Sequence, residues 1–270
     1  MPNWCTNYLR IDKDKADKYV LKDDKVDFNK LIPEPESYSK TTSPLRSEDV
    51  YCYLTDKGTI DLTDEIKNQY KDIFGWREDG IDTMADDYQR FLNEEKHYDI
   101  DWSNKTPKSV EITKEEAIQK AYDTGKINCE NYKIYGYPDW YEWRYANWGV
   151  KWNANTIDLA DWDEDKYEII FNTPWGPPEG WMIKLATLSD FEGDYEIEGG
   201  FEARGTFEAR KGNISWEDLE PYDWEEYMYP EDESKPFYIY DYNKAKESGL
   251  IINPFDIIDE EKFNIAVNAS

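Results

Sequence analysis

The sequence predicts an α+β fold with the element order strand, helix, strand, strand, helix, strand. A mainly helical insertion interrupts this core and an acidic C-terminal segment extends it. Three observations carry the prediction: a one-sided strand pattern at "CTNYLRID", a helix stop followed by a hairpin between 138 and 175, and a helix followed by strand-rich sequence from 178 to 215.

In the opening strand, Asn7, Leu9 and Ile11 alternate with Tyr8, Arg10 and Asp12, as expected of a strand with one covered face. "KDKADKYVLKDDK" reads as a charged loop or short helix. "LIPEPESYSKTTSPLRS" holds three prolines among Ser and Thr and reads as a connection. Residues 47–130 then change character. Leu62, Ile66, Tyr70 and Ile73 share one helical face, and Thr113 and Glu116 stand in capping-box positions ahead of the apolar stripe Ala117, Ile118, Ala121 and Tyr122, with Gly125 read as the stop. This region is predicted to be a helical insertion whose ends, near Ser47 and Asn131, lie close together.

From Pro138 the pattern predicts a short helix bearing Trp140 and Trp143, which Gly149 ends in the left-handed conformation. Beyond it Val150, Trp152 and Ala154 fall on one face of a predicted strand, so Trp148 and Trp152 are expected to be buried. On that reading Trp152→Ala costs about 3–5 kcal/mol. "DEDK" turns the chain into the strand "YEIIFNTPW", and "PEGWMIKLATLSDF" places Trp181, Leu185 and Leu188 along a second helix. The repeated "FEAR" has a period of six, so Phe201, Ala203, Phe207 and Ala209 are expected on one face of a bent strand, with Gly199, Gly200 and Gly205 permitting bulges. The predicted divisions are 1–46 and 131–215 for the core, 47–130 for the insertion and 216–270 for the acidic aromatic extension.

Composition restricts the function. Sixty Asp and Glu against 32 Lys and Arg give a formal charge of −28, which repels nucleic-acid phosphates and anionic membranes and attracts basic surfaces. A salt-adapted proteome also produces such charge but uses little lysine, and 25 of the 32 basic residues here are Lys. Cys5, Cys52 and Cys129 are odd in number and widely spaced, so neither a disulfide framework nor a cysteine zinc site is signalled. No apolar run approaches a membrane span and "MPNWCTNYLRID" lacks a secretion-signal core, so the expectation is a soluble, cytoplasmic protein.

Taken in order, the core elements are those of a ferredoxin-like βαββαβ sandwich. "MPNWCTN", "WGVKW" at 148–152, "FNTPWGPPEGW" at 171–181 and "YEIEGGF" at 195–201 resemble successive motifs of the YubB ferredoxin-like domain family. The resemblance covers residues 1–12 and roughly 138–212. It implies a small protein of a plasmid, phage or other mobile element and supplies no catalytic residues. The region before 138 and the tail after 215 depart from that pattern as additions.

Trp4, Trp148, Trp152, Trp175 and Trp181 all fall in these motifs. Aromatics on an open sheet can stack bases, but the charge opposes that use, and most of these rings are expected in the core. Acidic pairs such as Asp161 with Asp163 could hold a cation or act as acid and base, yet among 60 carboxylates nothing singles a pair out. His97 is the sole histidine, which excludes a two-histidine metal site; its default place is the surface. There is no phosphate-binding loop, and no cofactor is implied. Residues 217–233 carry nine acids, no base and several aromatics. Glu217, Asp218, Glu220, Asp223, Trp224, Glu225, Glu226 and Tyr227 are therefore the candidate partner-binding set, with acids for steering and rings for anchoring. The expected function is non-enzymatic: an acidic binding protein of a phage or other mobile element, a nucleic-acid-mimicking inhibitor of a host defence or DNA-processing protein, whose partner is the basic surface of a host nucleic-acid-binding or defence protein. The alternative is a ligand-binding or metal-dependent enzyme using an aromatic sheet face or a carboxylate cleft. A solvating surface is the plain reading of the charge.

Overall fold

The computed structural model describes residues 3–74, 80–101, 106–200 and 202–221. Strand β1 (Trp4–Asp12) leads through α1 (Lys13–Tyr19) into a small hairpin of β2 (Leu21–Lys22) and β3 (Lys25–Val26). Helices α2 (Ser47–Leu54), α3 (Asp64–Gln69) and α4 (Gly80–Leu92) precede a second hairpin, β4 (His97–Asp101) with β5 (Lys108–Ile112), and the long helix α5 (Lys114–Tyr135). The remainder is α6 (Trp140–Trp148), β6 (Asn155–Asp161), β7 (Lys166–Pro174), α7 (Glu179–Ala186), β8 (Phe191–Ile197), β9 (Ala203–Arg210) and β10 (Asn213–Leu219).

The main sheet runs β10-β9-β8-β1-β7-β6, with every pair antiparallel. Without the β9–β10 hairpin, its four strands in chain order lie 4-1-3-2, the arrangement of a ferredoxin-like sandwich. The fold is therefore α+β and ferredoxin-like, with one edge lengthened by a hairpin. The alternation of β1 holds: Cys5, Asn7, Leu9 and Ile11 are buried. Cys5, Leu9 and Ile11 join Phe28, Ile169, Phe171, Phe191 and Phe207 of the strands and loops, and Trp143, Trp148, Trp181 and Leu185 of α6 and α7, in one core. Residues between 45 and 132 form two further apolar clusters, one around Val50, Tyr70, Ile73 and Met84 and one around Cys52, Tyr88, Phe91 and Ala121.

Several expectations fail for identifiable reasons. Gly125 does not stop a helix. It lies inside α5, where a Cβ would stand 1.9 Å from the Asp49 carbonyl oxygen, so its lack of a side chain lets α2 approach. The stop is Gly136, at φ +82°. Gly125→Ala should force the helices apart and cost about 2–3 kcal/mol, to be read from denaturant midpoints; an unchanged midpoint would place α2 elsewhere. The predicted capping box of Thr113 and Glu116 is formed. The helix predicted through Ile73 is shorter, ending at Gln69, although Tyr70 and Ile73 are buried in the turn that follows.

His97 is not a surface residue. It is 5% exposed, at the start of a hairpin that the helical reading missed, with its ring 4.9 Å from that of Phe91. The "FEAR" expectation holds for its described members: Ala203, Phe207 and Ala209 share one face of β9. A turn at 198–200 separates β8 from β9, Phe207 and Ala209 are buried, and Phe201 lies outside the described residues. β6 begins at Asn155 instead of Val150, because Asn153 is occupied by the loop beside it: its Oδ1 accepts from the N–H groups of Phe28 and Ala154 and its amide donates to Asp27.

Candidate functional site

Three of the motifs meet at one end of the sheet. Trp4 starts β1 and pairs with Pro174 at the end of β7, so "NWCTN" and "NTPWG" lie side by side. A polar clamp fixes them. The buried Asn7 amide donates to Thr173 Oγ1 (2.8 Å) and to the carbonyls of Cys5 and Phe171, and the Thr173 hydroxyl donates to the Gly176 carbonyl (2.7 Å). Thr6 donates to the side chain of Asn172, and the Trp175 N–H donates to the Asn3 carbonyl at 2.8 Å. Trp175 is held at φ +73°, a left-handed conformation that a bulky residue rarely adopts. Such strain, on the order of 1–3 kcal/mol, persists only where the surroundings fix it.

The "WGVKW" motif arrives from α6. Gly149, at φ +85°, ends that helix; a Cβ there would stand 2.8 Å from the Glu179 nitrogen, so α6 and α7 touch through backbone. Trp148 turns inward and its indole N–H donates to the Ile32 carbonyl. Arg144 sets the loop beyond. Its guanidinium makes a two-point ion pair with Glu34 (2.7 and 2.8 Å), donates to the Lys151 carbonyl (3.2 Å) and lies over the rings of Trp140 and Trp148.

The result reverses part of the expectation. Trp148 and Trp181 are buried, but Trp4, Trp152 and Trp175 are 38%, 39% and 49% exposed. Trp4 and Trp152 have ring centroids 6.3 Å apart, and the Lys151 ammonium lies 4.2 Å from the Trp152 ring and 5.3 Å from that of Trp175. Trp152 is thus a surface ring, and the large burial cost expected of its removal does not apply. Beside this patch a cleft of about 460 Å³ is lined by Ser43, Pro44 and Leu45 on one side and by Asp139, Trp140, Tyr141, Glu142, Lys151 and Trp152 on the other. Asp139 caps α6 through the N–H groups of Tyr141 and Glu142, and burial raises its pKa. Burial, and then the Asp139 charge, push the Glu142 carboxyl up to about 7.

Of the sequence-predicted set, Glu217 and Asp218 lie on β10 and Glu220 just past its end. Asp218 accepts from the Tyr195 hydroxyl at 2.8 Å, and the Glu220 carbonyl accepts from Arg204. Asp223, Trp224, Glu225, Glu226 and Tyr227 fall outside the described residues. The register places Leu219 opposite Arg204, Arg204 opposite Glu196 and Glu196 opposite Thr6. β10 therefore ends at the same end of the sheet as Trp4, three strand spacings or ~14 Å away. Two more acids flank that end: Glu198 accepts from the Trp4 N–H and Glu202 from the Asn3 amide. Among the described residues no three His, Cys, Asp or Glu side chains gather as metal ligands would, and no helix is long and apolar enough to cross a membrane. Sequence reasoning missed the exposed patch, although a lysine between tryptophans in "WGVKW" and a glycine directly after Trp175 were its visible signals.

Comparison with family models agrees with the fold. Residues 147–241 match a family model described as a ferredoxin-like domain in Api92-like protein. The chain is also similar to the crystal structure of a protein api92 from Yersinia pseudotuberculosis, at 11% identity and a TM-score of 0.35, with 82% of this chain and 100% of that one covered. No curated protein matches.

Proposed function

We propose that this chain is a non-enzymatic binding protein that captures a basic protein surface, with Trp4, Trp152 and Trp175 as its anchors and the surrounding carboxylates as its steering charge. One observation carries the reading: three tryptophans from three distant segments converge, exposed, on a surface that buried hydrogen bonds and a left-handed Trp175 hold in place. Exposed apolar patches of this kind mark interaction sites, and tryptophan is the residue most enriched among interface hot spots. The formal charge of −28, with Glu198 and Glu202 beside the patch, supports a basic partner over nucleic acid or an anionic membrane. The YubB-like motifs belong to this proposal too. They favour a mobile-element protein of the bacterial cytoplasm that blocks a host nucleic-acid-binding or defence protein by presenting carboxylates in place of phosphates.

Capture from a bacterial lysate at low and high salt tests the reading. A basic protein should be retained at low salt and its association rate should fall as salt rises. Glu225→Lys with Glu226→Lys should slow that association. Salt-independent capture of an acidic or neutral protein would overturn the assignment.

A further inference from the structure

We infer that the cleft between Pro44–Leu45 and the start of α6 receives an arginine side chain of the protein partner, with Glu142 as its counter-ion and Trp140, Tyr141 and Trp152 as its walls. The inference rests on the proposed capture of a basic surface and assigns the place where one basic residue enters.

The protein itself shows the arrangement twice. Arg10 lies 4.3 Å from the Trp162 ring centroid while pairing with Glu168 (2.9 Å) and Asp194 (3.1 Å). Arg144 lies over Trp140 and Trp148 while pairing with Glu34. Each is a guanidinium set between indole and carboxylate, the geometry that a planar cation favours over a compact ammonium. In the cleft Arg144 already lies over Trp140 and Lys151 over Trp152, so what it offers a further guanidinium is a carboxylate beside aromatic walls. Among the described residues the Glu142 carboxylate has neither a hydrogen bond nor an ion pair, and Asp139 beside it is occupied as the cap of α6. The volume of about 460 Å³ is open to solvent and falls in the range of small-ligand clefts.

The charges facing Glu142 can be named. Asp139 repels it from the N-cap of its own helix, Lys151 lines the same side of the cleft with its ammonium over Trp152 and Trp175, and residues 43–45 contribute no charge. Because the carboxyl is held near neutrality by burial, an arginine must draw it into the ionised form. Affinity should therefore rise with pH between 6 and 8.

The test is titration of the full chain with a hexa-arginine peptide in 150 mM salt at pH 6 and pH 8, followed by tryptophan fluorescence. Glu142→Gln should weaken binding about tenfold at pH 8 and remove the pH dependence, while Glu115→Gln, an equal change of charge on the exposed start of α5, should stay within about twofold. Lys151→Met should tighten binding by removing a like charge from the cleft, and an unchanged hexa-arginine affinity would overturn the cleft assignment. Equal effects of Glu142→Gln and Glu115→Gln would overturn the cleft assignment while leaving capture by the overall charge in place. Absence of hexa-arginine binding even at low salt would overturn both.

Discussion

Trp181→Ala is expected to destabilise the protein by about 3–5 kcal/mol, the range for removing a buried tryptophan. The indole is fully buried where α7 meets the sheet, with its ring 5.0 Å from Phe28 and 6.5 Å from Phe171. Those residues come from the connection after β3 and from β7, so the cavity left behind would open between three separate parts of the core. Its N–H has no hydrogen-bond partner, which makes the ring's contribution one of packing alone. Trp181→Phe should accordingly cost much less, about 1–2 kcal/mol. Equal losses in the two variants, measured by chemical denaturation, would show that the indole nitrogen matters after all.

The second large effect depends on pH. Asp49 is 3% exposed on α2, and burial pushes its carboxyl up to about 7; Arg46 nearby lowers it and Glu48 raises it, with less effect than burial. Its Oδ1 has no hydrogen-bond partner. In the unfolded chain the same group titrates near an ordinary aspartate value, about 3.9. Between those two values the folded protein holds a proton that the unfolded chain has released, so stability falls as pH rises from about 4 to about 7. At pH 8 the buried charge costs up to roughly 4 kcal/mol relative to pH 4. Asp49→Asn should flatten that slope and raise stability at pH 8. A variant with the slope of the native protein would assign the pH dependence to other groups.

These two residues show what the sequence conveys and what it withholds. Trp181 was legible because its helix repeats apolar residues at the right spacing and is bounded by prolines and a turn. The strands β1 and β7 and the αL stop at Gly149 were legible for the same local reasons. Gly125 was misread because a glycine after an apolar stripe signals either a helix end or a close approach, and only the position of α2 decides between them. Asp49 gave no signal, since its burial depends on α5 packing over it. Trp152 follows the alternation of a strand, yet β7 ends at Pro174 and its pairing with β6 reaches only Asn155, so no neighbour extends the sheet to cover that ring. The candidate site was half legible. Its motifs could be found one by one, but their convergence depends on sheet register, which local patterns do not specify.

A tryptophan patch that recognises a partner, and does not merely pack, should govern how long the complex lasts. The most direct measurement is the dissociation rate of the captured basic protein from a Trp152→Ala, Trp175→Ala double variant whose melting temperature is determined alongside. Both rings are exposed, so the variant should keep a melting curve close to that of the native protein. Its complex should dissociate tenfold faster or more, on the order of the 2 kcal/mol that a hot-spot aromatic contributes. A folded double variant that releases the partner at the native rate would contradict the account and return these tryptophans to a purely structural role.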